Sequence, residues 1–175
     1  MSILVDFMSD VEIRYFVRSD EFSNALKGKK GFYLLIISLQ DGFSFNLRKK
    51  RRSITKGLYL YIGSAMGGIS SRLARYLKNP VNRHWHIDYL LKNASMERII
   101  AVPSSEKLEC KVVRFFADLI GWSSGVLGFG SSDCTCPSHL FLLPGTVIVD
   151  NLLKEALWKA IDYFPGEIYC LSFLG

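Results

Sequence analysis

The chain has no apolar stretch long enough to cross a bilayer. The longest, Phe32 to Leu39, falls far short of the roughly 20 residues that a spanning helix needs. It has no signal layout either. The opening Met-Ser-Ile-Leu-Val-Asp-Phe-Met-Ser-Asp is interrupted by Asp6 and Asp10 and lacks a basic stretch followed by an apolar one. These two absences set the expectation of a soluble, intracellular (cytoplasmic) protein with no membrane partner. Cysteine is scarce, with only Cys110, Cys134, Cys136 and Cys170, and in an intracellular chain reduced thiols are the expectation. Cys134 and Cys136 alternate at strand spacing, which is awkward for a disulfide between them. No dinucleotide fingerprint follows a strand, which counts against a small-molecule oxidoreductase. There is no internal repeat and no low-complexity tract.

What the chain does have is apolar content and positive charge. Its 175 residues, 49% of them hydrophobic, suffice for one domain with a real core. The formal net charge is +6 and the pI about 9.2. A basic surface suits an anionic partner such as nucleic acid, although many soluble proteins share that balance.

Hydrophobic periodicity divides the chain into candidate elements. Residues 1–30 show no clear period, save that Phe22, Ala25 and Leu26 mark a short helix before Gly28. Gly31-Phe-Tyr-Leu-Leu-Ile-Ile-Ser-Leu39 reads as a buried strand. Asp41-Gly42 is a turn signal, after which Phe43 to Leu47 pairs back as a hairpin. The run Arg48-Lys-Lys-Arg-Arg52 follows as a surface loop, and then the strand Leu58 to Ile62. Gly67-Gly68 precedes a helix in which Ile69, Leu73 and Leu77 share a face, ended by Asn79-Pro80. Ile87, Leu90, Leu91 and Ala94 recur at helical spacing. Arg98 to Val102 reads as a strand, and Ser104-Ser105 caps a helix over residues 106–120, ended by Gly121. Residues 121–133 are rich in Gly and Ser, and Leu140 to Leu143 is another apolar run. The pairs Leu152-Leu153, Ala156-Leu157 and Ala160-Ile161 predict a C-terminal helix before Pro165-Gly166.

Several constellations bear on chemistry, each with a plainer reading beside it. Arg72 lies one helical turn from Arg75 and Tyr76. A guanidinium forks onto phosphate oxygens, but an ordinary solvated helix face has the same spacing. Glu109 shares a stripe with Val113 and Phe116 and borders an apolar face. A carboxylate there is costly unless it is paired or metal-bound. A hard cation such as Mg²⁺ takes one or two carboxylates plus substrate phosphates; the plainer reading pairs Glu109 with a nearby Lys or Arg. Tyr33, Tyr59 and Tyr61 sit in strands, the last two on one side. Packing tyrosines are common, but Gly31 and Gly63 weaken strands and point to a close backbone approach or a site.

His84, Trp85, His86 and Cys134-x-Cys136-x-x-His139 include soft-metal ligand types. Cys134, Cys136 and His139 fit zinc, with Cys110 or His86 as a fourth ligand; buried, hydrogen-bonded side chains fit as well. Arg48, Lys49, Lys50, Arg51 and Arg52, with Arg75, suit a grip on a nucleic-acid backbone, or else a solvated hairpin tip. Gly128-Phe-Gly-Ser-Ser-Asp133 offers backbone donors for a phosphate.

Gly31-Phe-Tyr33 and Tyr61-Ile-Gly63 resemble the two signature tripeptides of the GIY-YIG nuclease superfamily. The closer similarity is to its DUF123 branch. It rests on Tyr59-Leu-Tyr-Ile-Gly-Ser-Ala65, Arg72-Leu-Ala-Arg-Tyr-Leu77, His84-Trp-His-Ile-Asp-Tyr-Leu-Leu91, Glu109-Cys110 and Gly128-Phe-Gly-Ser-Ser-Asp-Cys-Thr-Cys-Pro-Ser-His-Leu-Phe141. The resemblance implies a small α/β (α+β) domain over residues 31–145, with a three-stranded antiparallel sheet flanked by helices. Residues 1–30 would be an extension of unknown role and 146–175 a C-terminal helical extension. It also implies cleavage of DNA with a divalent metal, Mg or Mn. Tyr33, Tyr61, Arg72, Tyr76 and the metal-binding Glu109 would form the site. Phe32 replaces the isoleucine of the first tripeptide, and the gap from Tyr33 to Tyr61 is lengthened by the hairpin-like insert.

The expected chemistry is metal-assisted hydrolysis of a phosphodiester. Tyr61, assisted by Tyr33, would take a proton from the attacking water. A phenol ordinarily titrates at about 10, so a nearby cation or a hydrogen-bond acceptor must help it act as base. Arg72 would neutralise phosphate charge, and His86 would orient a phosphate or shuttle a proton. The alternatives are a non-catalytic nucleic-acid-binding module and a zinc-stabilised structural domain built on Cys110, Cys134, Cys136 and His139.

Overall fold

The computed structural model describes residues 12–47, 50–77, 86–121, 125–145 and 166–173. Arg48, Lys49, His84, Trp85 and the helix expected after Asp150 lie outside the described residues, as do residues 1–11.

The element order is β1 (Glu12–Phe16), α1 (Ser19–Ala25), β2 (Gly31–Leu39), β3 (Phe43–Leu47), β4 (Lys50–Ile54), β5 (Gly57–Ala65), α2 (Ile69–Leu77), α3 (His86–Leu91), β6 (Ser95–Pro103), α4 (Glu109–Ile120), β7 (Leu140–Leu142) and β8 (Glu167–Ser172). The expected three-stranded core is only the middle of a larger sheet. β2 pairs antiparallel with both β5 and β6, and Tyr33 faces Gly63 on one side and Ala101 on the other. β7 then extends the sheet beyond β5, β8 extends it beyond β6, and β1 joins β8 in parallel. The result is an α+β fold with a mixed six-stranded sheet, ordered β1-β8-β6-β2-β5-β7, beside a separate two-stranded sheet of β3 and β4. The expectation of a small three-stranded sheet is therefore corrected.

The added strands were hard to see for a physical reason. β8 sends Ile168 and Cys170 to one buried face and Tyr169 and Leu171 to the other. A short strand buried on both sides shows no polar alternation. β7 is only three residues long.

Both faces of the sheet are covered, and β2 explains why its sequence is almost continuously apolar. Phe32, Leu34 and Ile36 pack with Val112, Val113 and Phe116 of α4. Tyr33, Leu35 and Ile37 pack on the opposite face with Phe22, Ile69, Leu73, Ile87 and Leu90 from α1, α2 and α3. α4 begins later than its capping serines suggest. Ser104 Oγ accepts the Glu106 N–H at 3.1 Å in a preceding turn, and Leu108 takes the N-cap position without a side-chain cap. Glu109 thus opens the helix.

The insert is a true hairpin, but it pairs with itself, Phe43 opposite Ile54. Arg51 and Arg52 lie in β4, so the basic run is not wholly a loop. Phe45 docks the hairpin, stacking at 6.0 Å on Tyr89 and meeting the edge of Phe129 at 6.0 Å. No described helix is long and apolar enough to cross a membrane.

Candidate active site

One cleft of about 420 Å³ is lined by Tyr33, Tyr61, Arg72, Tyr76, His86 and Glu109. The fold draws them from five elements: β2, β5, α2 (which supplies both Arg72 and Tyr76), α3 and α4. Tyr33 and Tyr61 rise from neighbouring strands on one face, their rings 6.3 Å apart. Glu109 enters from the helix that packs on the other face. The Tyr33 and Tyr76 hydroxyls share a buried hydrogen bond of 2.7 Å. Gly63 makes this possible, because a Cβ there would fall 2.4 Å from both Cζ and the hydroxyl oxygen of Tyr33.

Burial pushes all three phenols above their ordinary pKa. The neighbouring phenols add to the rise at Tyr33 and Tyr61, while Arg72 opposes it at all three. At neutral pH the trio is therefore a set of protonated hydroxyls that donate and accept hydrogen bonds. Arg72 is an electrostatic and hydrogen-bonding partner of Tyr76.

Glu109 is 3% exposed. Its Oε1 lies 3.4 Å from Lys107 Nζ, which also reaches Asp133 Oδ2 at 3.4 Å. Its buried Oε2 has no hydrogen-bond partner among the described residues. His86 Nδ1 accepts the Gly130 N–H at 3.1 Å, which places the proton of the neutral ring on Nε2. Gly130 adopts φ of +71°, and a Cβ there would meet the Tyr61 ring at 2.9 Å. The adjacent Phe129 presses edge-on against Tyr61 and His86.

The other sequence candidates fall elsewhere. Arg75 does not line the cleft; it pairs with the buried Asp88 and so holds α3 against α2. Arg51 is exposed and Arg52 half-buried on β4, outside the cleft lining. Cys110, Cys134, Cys136 and His139 do converge, with ligand atoms all within 4.8 Å of one another, and that cluster could hold a metal ion. Burial raises the Cys110 and Cys136 thiols above their usual range and lowers the imidazole of His139. His86, the other fourth ligand considered, stays with Gly130 instead.

Sequence reasoning missed Lys107, and it took Phe129 and Asp133 only as parts of a loop offering backbone donors to a phosphate. Lys107, two residues before Glu109, was visible only as a generic nearby cation. Its link to Asp133 and the docking role of Phe129 exist only in three dimensions.

Among known proteins, no curated protein and no solved structure matches the chain. One family model does, the domain of unknown function DUF123, over residues 32–161. That span contains every cleft residue named above and most of the chain, which therefore belongs to the DUF123 family.

Proposed function

We propose that the protein is a divalent-metal-dependent endonuclease of the GIY-YIG type that hydrolyses phosphodiester bonds in DNA. The observation that carries this reading is the convergence of Tyr33, Tyr61, Arg72, Tyr76, His86 and Glu109 on one cleft. The net charge of +6 suits a polyanionic substrate.

Glu109 fits a hard cation, because it lines the cleft and its buried Oε2 lacks a hydrogen-bond partner among the described residues. Mg²⁺ or Mn²⁺ held there would stabilise charge on the leaving oxygen. Lys107 neutralises the carboxylate otherwise.

Arg72 offers a positive charge and a forked set of donors to the scissile phosphate. The hydroxyls of Tyr33 and Tyr76 hold each other and fix the wall against which Tyr61 stands. Tyr61 orients the attacking water. Burial keeps its hydroxyl protonated, so Tyr61 holds the water by hydrogen bonding and the water's proton passes to bulk solvent, while the positive charge of Arg72 offsets the charge that builds on the phosphate. His86 presents Nε2–H to a phosphate oxygen. The β3–β4 hairpin, docked on Phe129 by Phe45, carries Arg51 and Arg52 as a grip on flanking DNA.

The test is cleavage of labelled duplex, flap, branched and single-stranded DNA with Mg²⁺ or Mn²⁺, by the parent protein and by Glu109→Gln and Arg72→Ala variants. Metal-dependent cutting that Glu109→Gln abolishes and Arg72→Ala slows by about 10²–10³-fold is expected. Cutting unchanged in both variants removes the assigned site. Binding without cutting under any divalent ion leaves the cleft as a nucleic-acid-binding module.

A further inference from the structure

We propose that Cys110, Cys134, Cys136 and His139 bind a structural zinc ion that ties the first turn of α4 to the loop ahead of β7. The inference does not depend on the nuclease reading.

The geometry is that of a single-ion site. A tetrahedral zinc with ordinary bond lengths spaces its sulfurs roughly 3.8 Å apart and its imidazole nitrogen roughly 3.6 Å from each sulfur. Here all four ligand atoms lie within 4.8 Å of one another, with His139 Nε2 at 3.2 Å from Cys134 Sγ and 4.0 Å from Cys110 Sγ. The histidine is already oriented for the task. Its Nδ1–H donates to the Ile62 carbonyl at 3.1 Å, which fixes the tautomer and turns the Nε2 lone pair toward the thiols, as backbone carbonyls do for metal-bound histidines. Cys110 follows Glu109 in the first turn of α4, so a ligand at this position anchors the start of the helix.

The donor set selects the metal. Thiolate and imidazole ligands suit zinc and disfavour the hard cations that a carboxylate and phosphates would hold. Four protein ligands close the coordination sphere, which marks a structural ion and not a hydrolytic one. All four cysteines are free, and Cys170 stands apart from the cluster on β8.

The position gives the ion a consequence. Its ligands adjoin Glu109 on one side and Asp133 on another, and His139 itself lines the cleft. The carbonyl that orients His139 belongs to Ile62, next to Tyr61. Zinc would therefore fix the spacing between the carboxylate and tyrosine walls.

Metal analysis of the full chain, purified under reducing conditions with zinc supplied, tests the proposal. One equivalent of zinc per chain is expected, lost in Cys134→Ser and His139→Ala and retained in Cys170→Ser. Cobalt substitution of the parent protein needs no variant to fold, and should give the intense visible bands of a tetrahedral, thiolate-ligated ion. Chelation should lower the melting temperature of the parent. Substoichiometric zinc, a disulfide within the cluster, or weak octahedral cobalt bands would each overturn the site.

Discussion

Glu109 opens helix α4 and Glu167 opens strand β8, and the surroundings of these two carboxylates differ in kind. Glu167 is satisfied on every side. Tyr169 donates its hydroxyl to Oε2, Lys29 stands 3.5 Å from Oε2, and Arg14 stands 3.6 Å from Oε1. The same two cations sit over the Tyr169 ring. Glu109 is more deeply buried, yet while its Oε1 pairs with Lys107 at 3.4 Å, its Oε2 has no hydrogen-bond partner among the described residues. A buried polar group left unmatched costs about 1–3 kcal/mol. The tyrosines repeat the contrast, since Tyr169 is closed off by its carboxylate while Tyr33, Tyr61 and Tyr76 line an open cleft. What distinguishes the cleft from the Glu167 cluster is not residue type but capacity left over for a ligand.

The strongest way to break that comparison is to neutralise each carboxylate in turn. Glu109→Gln should abolish metal-dependent cleavage while leaving the melting temperature equal or higher, because it removes an under-compensated buried charge. Glu167→Gln should leave cleavage unchanged. A Glu109→Gln protein that unfolds without regaining activity at lower temperature would make Glu109 a structural partner of Lys107 instead.

Phe129 comes next. It is fully buried and touches Phe45, Tyr61 and His86, so Phe129→Ala should cost about 3–5 kcal/mol in urea unfolding. If the loss is under about 1 kcal/mol, the hairpin and the cleft are not coupled through this ring.

Much of the cleft wall was legible because glycine and aromatic spacing report close backbone approach. Gly63 beside Tyr61 pointed to something packed against the strand, and that something is the Tyr33 ring. The helical spacing that put Arg72 and Tyr76 on adjacent turns also holds, in an α2 with the expected bounds. What stayed hidden depends on pairing between distant segments. β1 is polar enough to pass for a loop, and it becomes a strand only by pairing with β8, whose apolar residues point both ways. Arg75 and Arg72 look alike in sequence, but Asp88 engages Arg75 from another helix. The bond between Lys107 and Asp133 crosses from the segment just ahead of α4 to the Gly-Ser loop, which no local pattern encodes.

Gly63→Ala tests the packing beneath the cleft at moderate magnitude. The new Cβ would overlap the Tyr33 ring, and overpacking of this kind costs about 1–3 kcal/mol. The cost should largely vanish in a Tyr33→Ala background, where the ring is absent, although that background is itself destabilised. A double-mutant cycle measures the coupling; purely additive costs would mean that the two residues do not constrain each other.

The smallest effect belongs to Glu167 and concerns pH. The Tyr169 hydroxyl first, and then Lys29 and Arg14, hold its carboxyl below the ordinary value of 4.5. A group with a depressed folded pKa contributes stability that is complete above its unfolded pKa and lost as pH falls through the folded one. Glu167 therefore adds stability at neutral pH that begins to fall below about pH 4.5 and is gone once pH drops past the lower folded value. Because its side chain is 38% exposed, solvent screens the interaction, and the contribution should be under about 1 kcal/mol. Urea unfolding at neutral pH and at acid pH, for parent and Glu167→Gln, reads it directly. The two proteins should differ slightly at neutral pH and converge in acid. A gap that persists or widens in acid would show that Glu167 stabilises the β1–β8 edge by packing and not by charge.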